Sequence, residues 1–203
     1  IKPGIPVVIS HTQEGVEQVF LDHARRQAAP IYFADQLLQI EQAFGGRLNI
    51  IADRQIIHEG LLLDLKGDYQ KYNLPGVIKV CHLLPEKAIY HGLNNVINNT
   101  GLKGRWQQLG VQPLIIADTG HNEAGVKEIV QELAKLQAKQ LHLVWGMVND
   151  KEVDHILALL PKKAQYFFVQ PDIPRAMPAK ALQAIAATYN LSGDVFLTVT
   201  AGI

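Results

Sequence analysis

Apolar residues recur along this chain with two periods, and the switching between them predicts strands alternating with helices. Pro6 to Ile9 reads as a short apolar strand. A helix is expected from about Gln13 to Ala29, where Val16, Val19, Phe20, His23 and Ala24 fall at helical spacing on one face. Ile31-Tyr32-Phe33 reads as a second strand and completes a β-α-β unit. Between Gly46 and Leu65, the runs Leu48-Asn49-Ile50-Ile51 and Ile56 to Leu63 read as two or three less regular strands. Leu74 to Leu84 and Glu86 to Ile97 then read as helices, separated by Pro85, which cannot continue the first.

From Asn98 to Gly104 the chain loses its hydrophobic face and becomes rich in Asn and Gly, so a domain boundary is expected near residue 100. Beyond it the alternation is regular. Strands are expected over Pro113–Ala117, Leu141–Trp145 and Tyr166–Val169, and helices over Asn122–Ala138, Asp150–Leu160 and Pro178–Tyr189. In the first of these helices Val126, Ile129, Val130, Leu133 and Leu136 form an apolar stripe, with Lys127, Glu128, Glu132 and Lys135 expected to turn away. Strands separated by such helices imply an α/β fold, a mostly parallel sheet with right-handed crossovers and flanking helices. Ligands of such a sheet sit at the carboxyl ends of its strands. The segments to inspect are therefore Asp118-Thr119-Gly120-His121-Asn122, Gly146-Met147-Val148-Asn149-Asp150-Lys151 and Pro171-Asp172-Ile173-Pro174-Arg175.

Composition narrows the picture. The 203 residues carry 19 basic against 19 acidic side chains, and a nucleic-acid binder needs a cationic excess for phosphate contacts, so no nucleic-acid partner is expected. No apolar run approaches the roughly 20 residues that span a bilayer, so no membrane association is expected either. Cys81 is the single cysteine and lies in the apolar run Val77 to Cys81, which suits a reducing compartment and a packing role. The opening residues, Ile1-Lys2-Pro3-Gly4, have neither an initiator Met nor a signal-peptide layout, and the chain reads as a piece of a longer polypeptide.

Several chemistries are missing. Nothing matches G-x-x-x-x-G-K-[ST], and no G-x-G-x-x-G follows a strand. His82 and His91 are nine apart without a zinc-type pattern around them, so no metal site is expected in this chain. Neither Ser10 nor Ser192 sits in G-x-S-x-G. What remains is a constellation of Gly104-Arg105-Trp106-Gln107, Asp118 and His121-Asn122. An arginine offers a planar fork for phosphate, a carboxylate at a strand end can hold ribose hydroxyls, and a helix amino-terminus favours an anion. The same residues also suit a plain reading in which Asp118 caps a helix, His121 fills a loop and Arg105 pairs at the surface.

These segments resemble a known family. Gly104-Arg105-Trp106-Gln107, Ile115 to Asn122, Gly146 to Lys151 and Pro174-Arg175-Ala176-Met177 are similar to the carboxy-terminal domain of the folylpolyglutamate synthase/dihydrofolate synthase family, within the Mur ligase superfamily. Ile1 to Val8 resembles the segment after that family's catalytic lysine, and Leu65 to Asn73 its G-x-x-Q-x-x-N segment. The resemblance implies that residues 1–100 are the rear half of a central ATPase domain. Residues 101–203 would be most of a Rossmann-like glutamate-ligase domain. It also implies an ATP- and Mg²⁺-dependent ligase of folate biosynthesis and one-carbon metabolism, cytoplasmic and monomeric, joining L-glutamate to dihydropteroate or to a folate through an acyl phosphate. Carried over, Asn73 would bind adenine, Arg105 phosphates and Asp118 ribose, while His121 would act near the incoming glutamate. The metal ligands and the P-loop would lie upstream of Ile1, so this segment alone is expected to be inactive.

The family commonly has Asp-Gly-Ala-His-Asn-Pro where this chain has Asp118-Thr119-Gly120-His121-Asn122-Glu123, and a closing helix and strand after residue 203 are expected but not present. Asp150-Lys151 resembles the family's acidic-lysine pair and receives no role. The alternatives are a cell-wall amide ligase of the same superfamily and a non-catalytic module that binds a nucleotide or a partner.

Overall fold

Two short apolar runs, Val7–Ile9 (β1) and Ile31–Phe33 (β2), pair in parallel with Val8 opposite Tyr32. A parallel pair needs a crossover, and helix α1, Glu17–Arg26, supplies it. The computed structural model describes residues 1–85, 88–149 and 153–203. They divide into two compact units, Ile1–Ala117 and Asp118–Ile203.

In the first unit α1 is shorter than the expected helix and covers only part of the expected face, Phe20 and Ala24. Val19 is 60% exposed and Val16 is also exposed, while Ala24 is buried. Two strands about 5 Å apart cover little width, so only part of an amphipathic stripe finds cover. After β2 come a short helix α2, Ala34–Leu37, and three strands, β3 Leu38–Gln42, β4 Leu48–Ala52 and β5 Gln55–Leu61. They form an antiparallel meander in the order β3-β4-β5. Asp53 and Arg54, which link β4 to β5, both have positive φ, the pattern of the tight hairpin turns whose twist matches that of the strands. β3 is absent from the expectation above, because apolar Leu37 and Ala43-Phe44 at its ends blur its alternation.

Helix α3 spans Gln70–Leu83 and so begins a turn before the expected Leu74. It packs Leu74 and Ile78 with Leu38, Ile50, Leu61 and Leu93 into the core of this unit. The helix expected over Glu86–Ile97 is instead two, α4 Ile89–Leu93 and α5 Val96–Thr100; residues 86–87 lie outside the described residues. Asn94-Asn95 divides them, since Asn side chains compete for backbone groups, and the Asp64 carboxylate accepts the Ile97 N–H at 2.6 Å. The strand expected at Pro113–Ala117 forms as β7, Leu114–Ala117, but as an antiparallel hairpin with β6, Gln107–Val111. Pairing with a neighbour two residues away replaces the parallel membership that the alternation of elements suggested.

The second unit follows the expected alternation. It contains α6 Glu123–Lys135, β8 His142–Trp145, α7 Val153–Leu159, β9 Gln165–Val169, α8 Ala179–Thr188, β10 Gly193–Phe196 and α9 Val199–Gly202. The three strands form a parallel sheet in the order β10-β9-β8. Tyr166 and Phe168 project to one face of β9 and stack at 5.5 Å, packing with Val126, Ile156, Leu157 and Leu182. Phe167 projects to the other face, between His142 and Phe196. Glu132, expected to face solvent, is 8% exposed and forms an ion pair with Lys135 at 2.7 Å. β10 and α9 are further elements that the pattern did not reveal, since Gly193-Asp194-Val195-Phe196 holds only two apolar residues.

Gly193 faces Tyr166 across the β9–β10 ladder so closely that a Cβ would be driven into the Tyr166 carbonyl. Gly193→Ala should lower the unfolding free energy of this unit by about 2–3 kcal/mol through overpacking, read as a shifted denaturant midpoint. Buried Tyr166 donates its hydroxyl to Pro161 O at 2.7 Å, and burial pushes its phenol well above the usual range. Tyr166→Phe should cost about 1–2 kcal/mol by leaving that carbonyl unpaired, less than Tyr166→Ala at about 3–5 kcal/mol.

Candidate functional site

The expected site residues are distributed over both units, and each unit has its own local geometry. In the first, Asn73 is the fourth residue of α3, inside the helix, whose cap position is Tyr69. It is exposed, and its Nδ2 donates to Oε1 of buried Gln70 at 3.0 Å. The two polar residues of the G-x-x-Q-x-x-N segment are thus linked across one helical turn. Ser10, just past β1, donates its hydroxyl to the carbonyls of Tyr72 and Asn73 at 2.9 and 3.2 Å. Gly76 permits this approach, because a Cβ there would collide with the Ser10 side chain. Val8, Ser10, Asn73, Gly76, Val77, Val80 and Cys81 line an open groove of about 490 Å³. Cys81 therefore sits at a groove wall, partly exposed, and not in the core as its apolar surroundings implied.

Arg105 is exposed in a tight turn ahead of β6. Gly104 and Trp106 on either side of it have positive φ, and the Gly104 N–H donates to Gln107 Oε1 at 2.9 Å. The Gly-Arg-Trp-Gln segment is a bend closed by this side-chain acceptor, with Arg105 exposed on it.

In the second unit Asp118 Oδ1 accepts the Gly120 N–H at 2.8 Å, bending the loop that enters α6. The cap of α6 is Asn122, whose side chain accepts the Gly125 N–H at 2.8 Å. Asp118 therefore does not cap the helix, and its carboxylate is oriented by the loop. His121 is exposed, with Nδ1 3.1 Å from Thr119 O. The loops after β8 and β9 meet: Val148 bridges Ala176, Asn149 N donates to Arg175 O at 2.9 Å and Met177 N to Met147 O at 2.8 Å. The Gly146 and Pro174 motifs, about 28 residues apart in sequence, thus share one sheet edge. Asp150 and Lys151 lie outside the described residues. Among the described residues no group of three or more His, Cys, Asp and Glu side chains is placed to hold a metal ion, and no helix is long and apolar enough to cross a membrane.

One cluster was not singled out from the sequence. Asp35, directly after β2, accepts the Thr12 N–H at 2.7 Å and the Thr12 hydroxyl at 2.8 Å, and faces His11 Nδ1 at 3.2 Å. Partial burial pushes its carboxyl upward, but the two hydrogen bonds from Thr12 and the attraction of His11 prevail and hold it below its ordinary range. The available signal was position, since Ser10 to Thr12 and Asp35 follow β1 and β2, where the strand-end rule also applies.

Comparison with known proteins bears on the same segments. Residues 104–202 match the model of the glutamate ligase domain of Mur ligases. That match covers just under half of the chain and includes the Gly104, Asp118, Gly146 and Pro174 segments. It is 26% identical over 201 residues, 95% of its length, to the dihydrofolate synthase/folylpolyglutamate synthase of Bacillus subtilis, and spans 47% of that relative. Among solved Mur ligase structures, it superposes with a TM-score of 0.77 and 26% identity on the bifunctional folylpolyglutamate synthase/dihydrofolate synthase of Yersinia pestis complexed with AMPPNP and Mn ion. That likeness covers 99% of this chain and 46% of the other. A second structure of such an enzyme, with Mn, AMPPNP and L-glutamate bound, superposes with a TM-score of 0.74 at 25% identity, covering 99% and 47%. The chain thus spans about half the length of these relatives.

Asp35 has a lowered carboxyl, so its stabilisation of the β1 loop is complete above the ordinary carboxylate range and is lost as pH falls through the lowered value. Asp35→Asn should cost about 1–2 kcal/mol at pH 6. The gap from the parent should begin to narrow below about pH 4 and close only once the pH has fallen through the lowered value of Asp35, measured by denaturant titration at each pH.

Proposed function

We propose that the protein from which this chain comes is an ATP-dependent ligase that adds L-glutamate to dihydropteroate, to folylpolyglutamate, or to both. A domain boundary near residue 101 belongs to this reading, supported by the family match that begins at 104. A cytoplasmic monomer acting in folate biosynthesis is part of it too. The observation that carries it is the register of the strand-end segments: the Gly104, Asp118, Gly146 and Pro174 motifs lie, in order, within the stretch matched to the glutamate ligase domain.

Taken one by one, the residues suit parts of a nucleotide. Asn73 carries a donor and an acceptor on an exposed amide held by Gln70, which suits the amino and ring-nitrogen edge of adenine. Arg105, exposed on its bend, suits a phosphate, and Asp118 is oriented to accept from ribose hydroxyls. A carboxylate is a poor electrophile. Its oxygen takes the γ-phosphoryl group with release of ADP, and the glutamate amine then attacks the acyl carbon and expels phosphate. Magnesium, when bound, offsets the negative charge of the phosphates; its ligands are not assigned among the described residues. His121 has Nδ1 3.1 Å from Thr119 O, and in the tautomer that gives the Nδ1 hydrogen to this carbonyl its Nε2 can accept the proton the attacking amine must lose.

The test is phosphate release by the product of the whole gene, dependent on ATP and L-glutamate, with dihydropteroate or tetrahydrofolate as acceptor. Turnover with a cell-wall precursor and with neither pterin would overturn the assignment. Binding of ATP without turnover would favour a non-catalytic module. Arg105→Ala and Asp118→Ala should raise KM for ATP about tenfold or more, and His121→Ala should lower kcat about 100-fold.

A further inference from the structure

The loop after β1 carries a histidine that the reaction above leaves without a task. His11 directs Nδ1 at Asp35 Oδ2, 3.2 Å away, and Asp35 also takes both donors of Thr12. Gln36 Nε2 donates in turn to Thr12 Oγ1 at 3.1 Å. One residue earlier, Ser10 holds the carbonyls of Tyr72 and Asn73. The His11 ring lies 6.0 Å from that of Tyr72, tilted by 56°. His11, Tyr72 and Asn73 are thereby gathered at the carboxyl edge of β1 and β2, all three exposed.

Thr12 alone ties this loop to Asp35 with two hydrogen bonds. The additional contact to His11 orders a side chain that is 60% exposed and gains little from burial, so its clearest consequence is the orientation of the ring. In the neutral tautomer that gives its Nδ1 hydrogen to Asp35, Nε2 of His11 is an acceptor. The His11 ring neighbours that of Tyr72, the residue before Asn73 on α3.

We propose that His11 is a second base-facing residue of the nucleotide site, oriented by Asp35, and that it selects a 6-aminopurine over a 6-oxopurine. The Nε2 lone pair meets an amino hydrogen favourably and a carbonyl oxygen unfavourably. Asp35 is a positioning residue that acts through His11 and Thr12. The inference rests on the assignment of Asn73 to adenine.

The experiment measures KM and kcat of the whole-gene enzyme with ATP and with GTP for His11→Ala, His11→Gln, Asp35→Asn and Asn73→Ala, together with thermal midpoints. His11→Ala should raise KM for ATP about tenfold, change kcat at saturation much less, and shrink the preference for ATP over GTP. His11→Gln, which keeps an acceptor, should restore part of both. Asp35→Asn should move KM in the same direction by a smaller factor. If Asn73→Ala raises KM while His11→Ala alters neither KM nor the preference, His11 lies outside the site and the adenine assignment stands. If Asn73→Ala also leaves KM unchanged, that assignment falls and this inference with it. A lowered thermal midpoint in His11→Ala with unchanged KM would make the residue a structural brace and overturn the proposal.

Discussion

Parallel pairing of β8, β9 and β10 is the constraint on which the second unit depends. Each strand must be followed by a crossover before the next begins, so the segments after β8 and β9 leave the sheet at one edge. Their backbones then join, through the Val148–Ala176 bridge and the bonds that flank it. Two motifs remote in sequence become one surface because the sheet is parallel. The core enforces the register: Tyr166 and Phe168 fill one face of β9, and the close approach at Gly193 admits no side chain.

In the first unit the corresponding anchors are one carboxylate and one hydroxyl. Asp35 collects three donors from the loop after β1, and Ser10 in the same loop holds the α3 turn that carries Asn73. These contacts fix residues of low burial, where apolar packing contributes little and placed hydrogen bonds to a charged group contribute more. The missing side chain at Gly76 permits the loop and helix to meet.

Much of this was legible in the residue pattern. The regular elements of the second half, the β1-α1-β2 unit and the strand-end placement of Gly146 follow from periodicity and the parallel-sheet rule. What escaped notice were elements whose identity depends on a partner. β3 and β10 are short and weakly alternating, and become strands by pairing with β4 and β9. β7 has the apolar run of a buried parallel strand but pairs with the β6 arm beside it. Glu132 carries a charge that composition assigns to the surface, yet Lys135 one turn away allows it to be buried.

The sequence by itself determined which segments are helices and strands over most of the chain and the residue types offered along it, because these depend on local spacing. The tertiary structure alone decided which of those residues meet. That Asn122 and not Asp118 caps α6, that Asn73 lies inside α3 in the grip of Ser10 and Gln70, and that His11 is held by Asp35 are set by contacts across many residues. Such contacts have no period in the sequence, because the distance that governs them is the one across the packed fold.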